Sequence, residues 1–197
     1  WPDLVRLARD EDLRSGTRHR AVFWIGTYSD AGASRALREL VADDGLDQEV
    51  RGAAIVALGG DDITWEDVAF LRTLYPKLSE KLRDNVFLAV SRSDDRRASA
   101  WLAQIATSSS ETTHSREQAI FWLSQGRGPT SELIRLYDRL DGTGLRKHYT
   151  FALSQRHDDQ ALDKLIDIAR RDEDRAVRKQ ALFWLGQSKD PRAVAFL

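Results

Sequence analysis

Four histidines, several runs of neighbouring acids, a serine triplet and a regularly spaced arginine are the residues of this chain whose types could do chemistry. Metal binding is the first possibility. His19, His114, His148 and His157 are scattered, and none begins a His-Glu-x-x-His stretch or even a His-Glu dipeptide. The pair of imidazoles one helical turn apart that a zinc hydrolase needs therefore cannot be assembled. His148 and His157 are near enough in sequence to approach one another, and we read both as surface or capping residues. Nucleophilic chemistry fares no better. The chain has no Cys, Ser108-Ser109-Ser110 has no strand–turn–helix elbow around it, and no glycine-rich loop could cradle a phosphate. Asp43-Asp44, Asp61-Asp62, Asp94-Asp95, Asp158-Asp159 and Asp172-Glu173-Asp174 all fall in turns or just before helices, where carboxylates cap N–H groups. No catalytic residue, metal or cofactor is expected, and the residue pattern points away from an enzyme.

The elements that carry these residues show themselves through a repeat. Ile25-Gly26, Leu58-Gly59, Val90-Ser91, Leu123-Ser124, Leu153-Ser154 and Leu185-Gly186 follow one another at steps of 33, 32, 33, 30 and 32 residues. Such a period is the mark of stacked supersecondary units. Five positions before each small residue stand Ala21, Ala54, Val86, Ala119, Tyr149 and Ala181, and three positions earlier an Arg recurs: Arg18, Arg51, Arg83, Arg116, Arg146 and Arg178. With the Ala position as zero, offsets −4, 0, +3 and +4 lie on one helical face, so the first helix of each repeat is expected near 14–26, 47–59, 80–91, 113–125, 143–155 and 175–187. A turn follows, with Asp30, Asp62, Asp95, Asp158 or Asp190, or with Gly128-Pro129 in the fourth repeat, and then a second helix. The polar stretch 107–115 is the expected mobile loop, too short to divide the chain into two domains.

Composition agrees with a stack. The chain is 42% hydrophobic and 31% charged, and its 30 Lys and Arg against 31 Asp and Glu give a net charge of −1. No global field favours nucleic acid, and no apolar run approaches the ~20 residues that cross a bilayer. The chain contains no Met, even at position 1, so a processed product or a segment of a longer protein is expected. Pro2–Arg9 reads as a second helix without its first, and 194–197 as one cut short, so further repeats or domains are expected to flank both ends.

Val177-Arg178-x-x-Ala181-x-x-Trp184-Leu185-Gly186, followed by Asp190-Pro191-Arg192-Ala193-Val194, resembles the short bacterial HEAT repeats first grouped with phycobilisome lyase subunits. Val50-Arg51-x-x-Ala54-x-x-Ala57-Leu58-Gly59 matches equally well, and the resemblance covers essentially the whole chain. Repeat five departs most, with Tyr149 at the Ala position. The resemblance implies an all-α, right-handed α-solenoid of about six helix pairs, truncated at both ends and forming a single domain over 1–197. It also implies that the first helices form the convex layer and the second helices line the concave face. The arginine ladder, Arg18, Arg51, Arg83, Arg116, Arg146 and Arg178, would then pair with the turn Asp residues and tie adjacent repeats together.

Repeats of this type serve many roles, so function has to be read from the surface. The expected role is a non-catalytic protein-interaction scaffold with a protein partner, without nucleic acid and without membrane insertion. The alternative is a lyase-like enzyme or a small-ligand-binding module. The expected partner site is the concave face, at Phe70, Trp101, Ile134 and Arg135, an aromatic pair beside an Arg. A second set lies at offset +2 of the first helices: Phe23, Val56, Leu88, Phe121, Phe151 and Phe183. That offset points about 200° from the buried Ala, so six apolar residues would form an outward stripe. Trp24, Trp122 and Trp184, at offset +3, are expected in the core. If Trp101 proves to be core, the Phe stripe becomes the better interface.

Overall fold

The computed structural model describes residues 1–28, 30–60 and 63–197, and Asp61 and Asp62 lie outside them. Among the described residues the chain is helical, without strands. It falls into two compact units, 1–98 and 99–197, whose boundary lies within a helix and not at the polar 107–115 stretch.

The first unit contains α1 (Pro2–Arg9), α2 (Ser15–Ile25), α3 (Ala31–Ala42), α4 (Gln48–Leu58), α5 (Trp65–Leu74) and α6 (Glu80–Ser91). The boundary helix is α7 (Arg96–Thr107). The second unit continues with α8 (Thr113–Gln125), α9 (Thr130–Leu136), α10 (Thr143–Ser154), α11 (Asp159–Arg171), α12 (Arg175–Gln187) and α13 (Pro191–Phe196). The even-numbered helices are the six expected from the Arg–Ala–Leu–small pattern, each within two residues of its expected ends. Their starts are chemically marked. Asp47 accepts from the N–H groups of Glu49 and Val50 at 3.0 and 2.9 Å, Thr112 from Ser115 at 3.1 Å, and Asp174 from Ala176 at 2.7 Å. Their ends carry a second regularity: Ser91, Ser124 and Ser154 each donate to the carbonyl three residues back, at 2.7–2.8 Å.

Within each unit the two layers pack differently. Helices α2, α4 and α6 lie in extensive mutual contact, as do α8, α10 and α12, whereas α3 and α5, or α9, α11 and α13, touch sparsely. Small residues explain the close layer. A Cβ added to Gly26 would lie 2.9 Å from Ala57 Cβ, and one added to Gly59 would lie 2.4 Å from Ala89 Cβ. The residue at +5 of one helix thus meets the residue at +3 of the next, and neither can be large. The open layer is bridged by ion pairs instead: Arg38 reaches Asp67 at 2.7 Å and Glu66 at 2.8 Å, and Arg192 reaches Asp159 at 2.7 Å and Asp163 at 3.2 Å. A two-layer stack bends toward its crowded layer. The helices carrying the Arg–Ala–Leu–small pattern therefore form the inner layer of each unit, a reversal of the expected convex placement.

Tyr149, the departure in repeat five, is fully buried. Its ring packs on Tyr137 with centroids 5.0 Å apart, and its hydroxyl donates to the Leu133 carbonyl at 3.0 Å. The large side chain fills the interval between α10 and α9 and satisfies a buried carbonyl there.

The tight layer yields a direct test. Gly59→Ala drives a methyl into Ala89 and is expected to lower unfolding free energy by about 1–3 kcal/mol. Gly144→Ala meets open space inside α10, and the better helix propensity of Ala is expected to leave stability unchanged or raise it by up to about 1 kcal/mol. Urea unfolding followed by far-ultraviolet circular dichroism compares the two, and equal midpoints would refute the close-approach account.

Candidate functional site

Any binding face must be built from groups the fold has not already used, and the arginine ladder is largely used. Arg51 donates to the Val41 carbonyl at 3.0 Å and pairs with Asp44 at 2.8 Å. Arg83 donates to the carbonyls of Tyr75, Pro76 and Leu78 at 3.0–3.2 Å, and Arg178 to those of Asp172 and Glu173 at 2.6 and 3.0 Å. Arg116 combines the Ala106 carbonyl, at 3.0 Å, with Asp141. Arg18 pairs with Asp47 at 2.5 Å, and Arg146 with Asp172 and Glu173 at 3.4 and 3.1 Å. The guanidinium groups thus close the carbonyl ends of the preceding helices or bind acids of the loops between repeats.

These partners are not the turn acids expected from the resemblance. Asp30, Asp158 and Asp190 cap α3, α11 and α13 through the N–H groups of Ala33, Ala161 and Arg192 at 2.8–2.9 Å. Asp95 binds the Arg97 backbone and guanidinium, and Asp62 lies outside the described residues. A further Arg was missed in the sequence. Arg156, after the fifth small residue, reaches back to the carbonyls of Ser124 and Gly126, at 2.9 and 2.7 Å, and to that of Gly128. Arg92 does the same for Gly59 at 3.2 Å. Their position one or two residues past the small residue was the available signal.

The expected concave site is corrected. Trp101 is only 6% exposed and offers no surface to a partner. Phe70, half-buried on α5, belongs to the first unit, whereas Ile134 (half-buried) and Arg135 (exposed, 3.0 Å from Glu132) belong to the second. The core placement of the +3 tryptophans also fails in part. Trp24 is 55% exposed, because α2 is the first helix of its layer here and nothing covers its +3 position, while Trp122 and Trp184 are half-buried.

What the second unit does present is a run of rings across α8, α10 and α12. Trp122 meets Phe121 edge-on at 5.2 Å, Phe121 lies parallel to Phe151 at 6.2 Å, Phe151 meets Trp184 at 5.1 Å, and Trp184 meets Phe183 edge-on at 4.9 Å. His148 stands edge-on to Phe151 at 6.0 Å. Five indole and phenyl rings therefore form one unbroken chain over three repeats. Phe183 is 53% exposed, and the other four are half-buried. Offset −1 lies one turn from +2 and carries Gln118, His148 and Gln180, a polar row beside the aromatic one. Lys147, Ala176, Lys179, Gln180 and Phe183 surround a shallow depression of about 420 Å³.

In the first unit the same offsets give a groove of about 510 Å³ over α2, α4 and α6. Gly52, Ala53 and Val56 form its floor, with Phe23 and His19 on one side and Lys81 and Asn85 on the other. Phe23 packs edge-on to Trp24 at 5.6 Å. Among the described residues, no group of three His, Asp or Glu side chains could hold a metal ion, and no helix is long and apolar enough to cross a membrane.

Residues 130–197 match the family model for HEAT repeats. No curated protein matches the sequence. Among solved structures, the complex of CpcE and CpcF of phycocyanin lyase from Nostoc is similar with a TM-score of 0.50 at 18% identity, covering 94% of this chain and 76% of that one. Human deoxyhypusine hydroxylase is 20% identical over 94% of this chain and 73% of its own, with a TM-score of 0.43. A designed armadillo repeat protein is 15% identical over 99% and 95%, also at 0.43. The fold of the chain is that of HEAT-repeat solenoids.

The capping acids set the response to pH. The Arg97 guanidinium and backbone hold Asp95 down to about 2. The Thr143 hydroxyl, with the Ala176 N–H, lowers Asp174, and Arg192 lowers Asp190. A carboxyl depressed in the folded state contributes stability above its unfolded value near 4, and loses that contribution as pH falls through its folded value. Melting temperature is expected to hold from pH 7 to 5 and to drop between about pH 4 and 2. Asp174→Asn should lower it at pH 7 and flatten the acid slope; an unchanged slope would show that the caps do not govern acid unfolding.

Proposed function

We propose that this chain of HEAT repeats is a non-catalytic protein-interaction module and that its partner binds the inner layer of the second unit, along Phe121, Phe151 and Phe183. The observation that carries the reading is the unbroken chain of five aromatic rings across three repeats, part of it open to solvent. A core has no need to leave Phe183 uncovered, and exposed apolar surface in register over several repeats is the composition of an interface. Aromatic side chains supply contact area at small entropic cost, and they sit here on the most closely packed helices of the fold. The site is rigid before its partner arrives, so little binding energy is spent on ordering it.

A second reading is a small-ligand module, for which the groove lined by Phe23, Gly52, Val56 and Asn85 is the supporting observation. Its size fits a drug-sized or cofactor-sized molecule. A lyase-like role would require a tetrapyrrole there, and the chain purified from its native host would then absorb visible light.

The test is affinity capture from the native lysate with three baits: the wild-type chain, Phe183→Ala, and a Phe70→Ala/Ile134→Ala control on the other layer. Phe183 is exposed, so its truncation should change stability by less than about 0.5 kcal/mol. As a hot spot it should weaken partner binding by about 2 kcal/mol, roughly thirtyfold, while the control binds like the wild type. Partners lost with the control and kept by Phe183→Ala would overturn the assignment of the face.

A further inference from the structure

We infer that the segment bound by the second unit is an extended, acidic peptide with an apolar residue at every third position, an inference that rests on the interface reading above. Charge is the first argument. Helices α10 and α12 contain no Asp or Glu, and across α8, α10 and α12 the only acid is Glu117. Arg116, Arg146 and Arg178 are turned to carbonyls and loop acids, so they add little to this surface. Lys147 and Lys179 are different. Both line the depression beside Phe183, and neither has an acid partner. In a chain of net charge −1, the aromatic row therefore runs beside two uncompensated ammonium groups. Such a surface attracts carboxylates and repels cationic segments.

The row of amides argues for an extended backbone. Gln118 and Gln180 are half-buried at offset −1, and each carboxamide offers both donors and an acceptor. Between them the His148 Nε2 atom is buried without a hydrogen-bond partner. A bound helix satisfies its own backbone and would leave these groups idle, whereas an extended segment carries free N–H and C=O groups that need such partners.

Spacing completes the argument. Packed helices lie about 8–10 Å apart. A polyproline-like extended chain advances about 9.3 Å per three-residue turn, returning side chains to the same face. Apolar residues at i, i+3 and i+6 would thus meet Phe121, Phe151 and Phe183 in succession, with acids between them facing Lys147 and Lys179. Rings and lysines also suit single-stranded nucleic acid. Here the Phe121, Phe151 and Trp184 faces are engaged by one another, which favours side chains packed against ring edges over stacked bases.

The experiment uses the full 197-residue chain and three fluorescein-labelled dodecapeptides, with Leu at every third position and Glu, Gln or Lys elsewhere. Fluorescence anisotropy at physiological ionic strength is expected to rank them Glu, then Gln, then Lys. Lys147→Glu with Lys179→Glu should weaken the Glu peptide at least about tenfold and strengthen the Lys peptide. Phe183→Ala should weaken the Glu and Gln peptides alike. Equal affinity for all three peptides, unaltered by the charge reversal, overturns the acidic preference, while a loss in Phe183→Ala still supports the interface. Indifference to both variants, or no binding of any peptide, overturns both. Displacement of the Glu peptide by a dT oligonucleotide at lower concentration than by unlabelled Glu peptide assigns the face to nucleic acid and overturns the inference.

Discussion

The rest of the structure depends on the close approach of the even-numbered helices through residues too small to separate them. Gly26 on Ala57 and Gly59 on Ala89 leave no room for a methyl group, and this distance sets how the repeats stack. Once one layer is that tight, the other must open, and its helices are held by ion pairs such as Arg38–Asp67 where apolar contact is lost. The division of labour is physical. Dispersion and burial hold the inner layer, which needs shape complementarity, and long polar side chains span the outer one, where exact fit matters less.

The arginine ladder follows from the same geometry. Antiparallel helices in a short repeat leave the carbonyl end of one helix beside the middle of the next. An Arg three residues before the buried Ala is positioned to close that end with several N–H groups at once. Arg83, which serves three carbonyls, shows why Lys would be a poor substitute: an ammonium group cannot fan across so wide an array. The ladder therefore explains both the regularity of the sequence and the neutrality of the inner face. Six cations recur in register, yet most of their charge is spent on backbone and loop acids.

Much of the fold was legible because one periodic pattern encodes the inner helices completely. The buried Ala, the Arg, the Leu and the small terminal residue are each required by a contact with the neighbouring repeat, so none is free to drift. The outer helices are required by less, and α5, α7 and α9 differ in length and in register. Trp101 illustrates the consequence: two adjacent positions of α7 could equally face in or out by periodicity, and only packing shows that Trp101 is buried. The +3 tryptophans misled for the opposite reason. That offset is core only where a preceding helix covers it, so Trp24 is exposed and Ala89 fully buried at equivalent positions. The apolar row at +2 was visible, but the side of the stack it occupies was not, because layer curvature depends on how closely helices approach.

The inner face also shows where this fold can vary without cost. Offsets 0, +4 and +5 are committed to packing, and −3 to the ladder, which leaves −2, −1 and +2 on each inner helix. In the first unit these positions bring Gly52, Ala53 and Val56 together and open a groove. In the second they bring Lys147, His148 and Phe151 together and build a filled, aromatic surface. One backbone pattern therefore carries a recess in one unit and a ridge in the other. The difference resides in three side chains per repeat that touch little of the core, so substitution there alters what the surface can hold while the stack beneath it keeps its contacts.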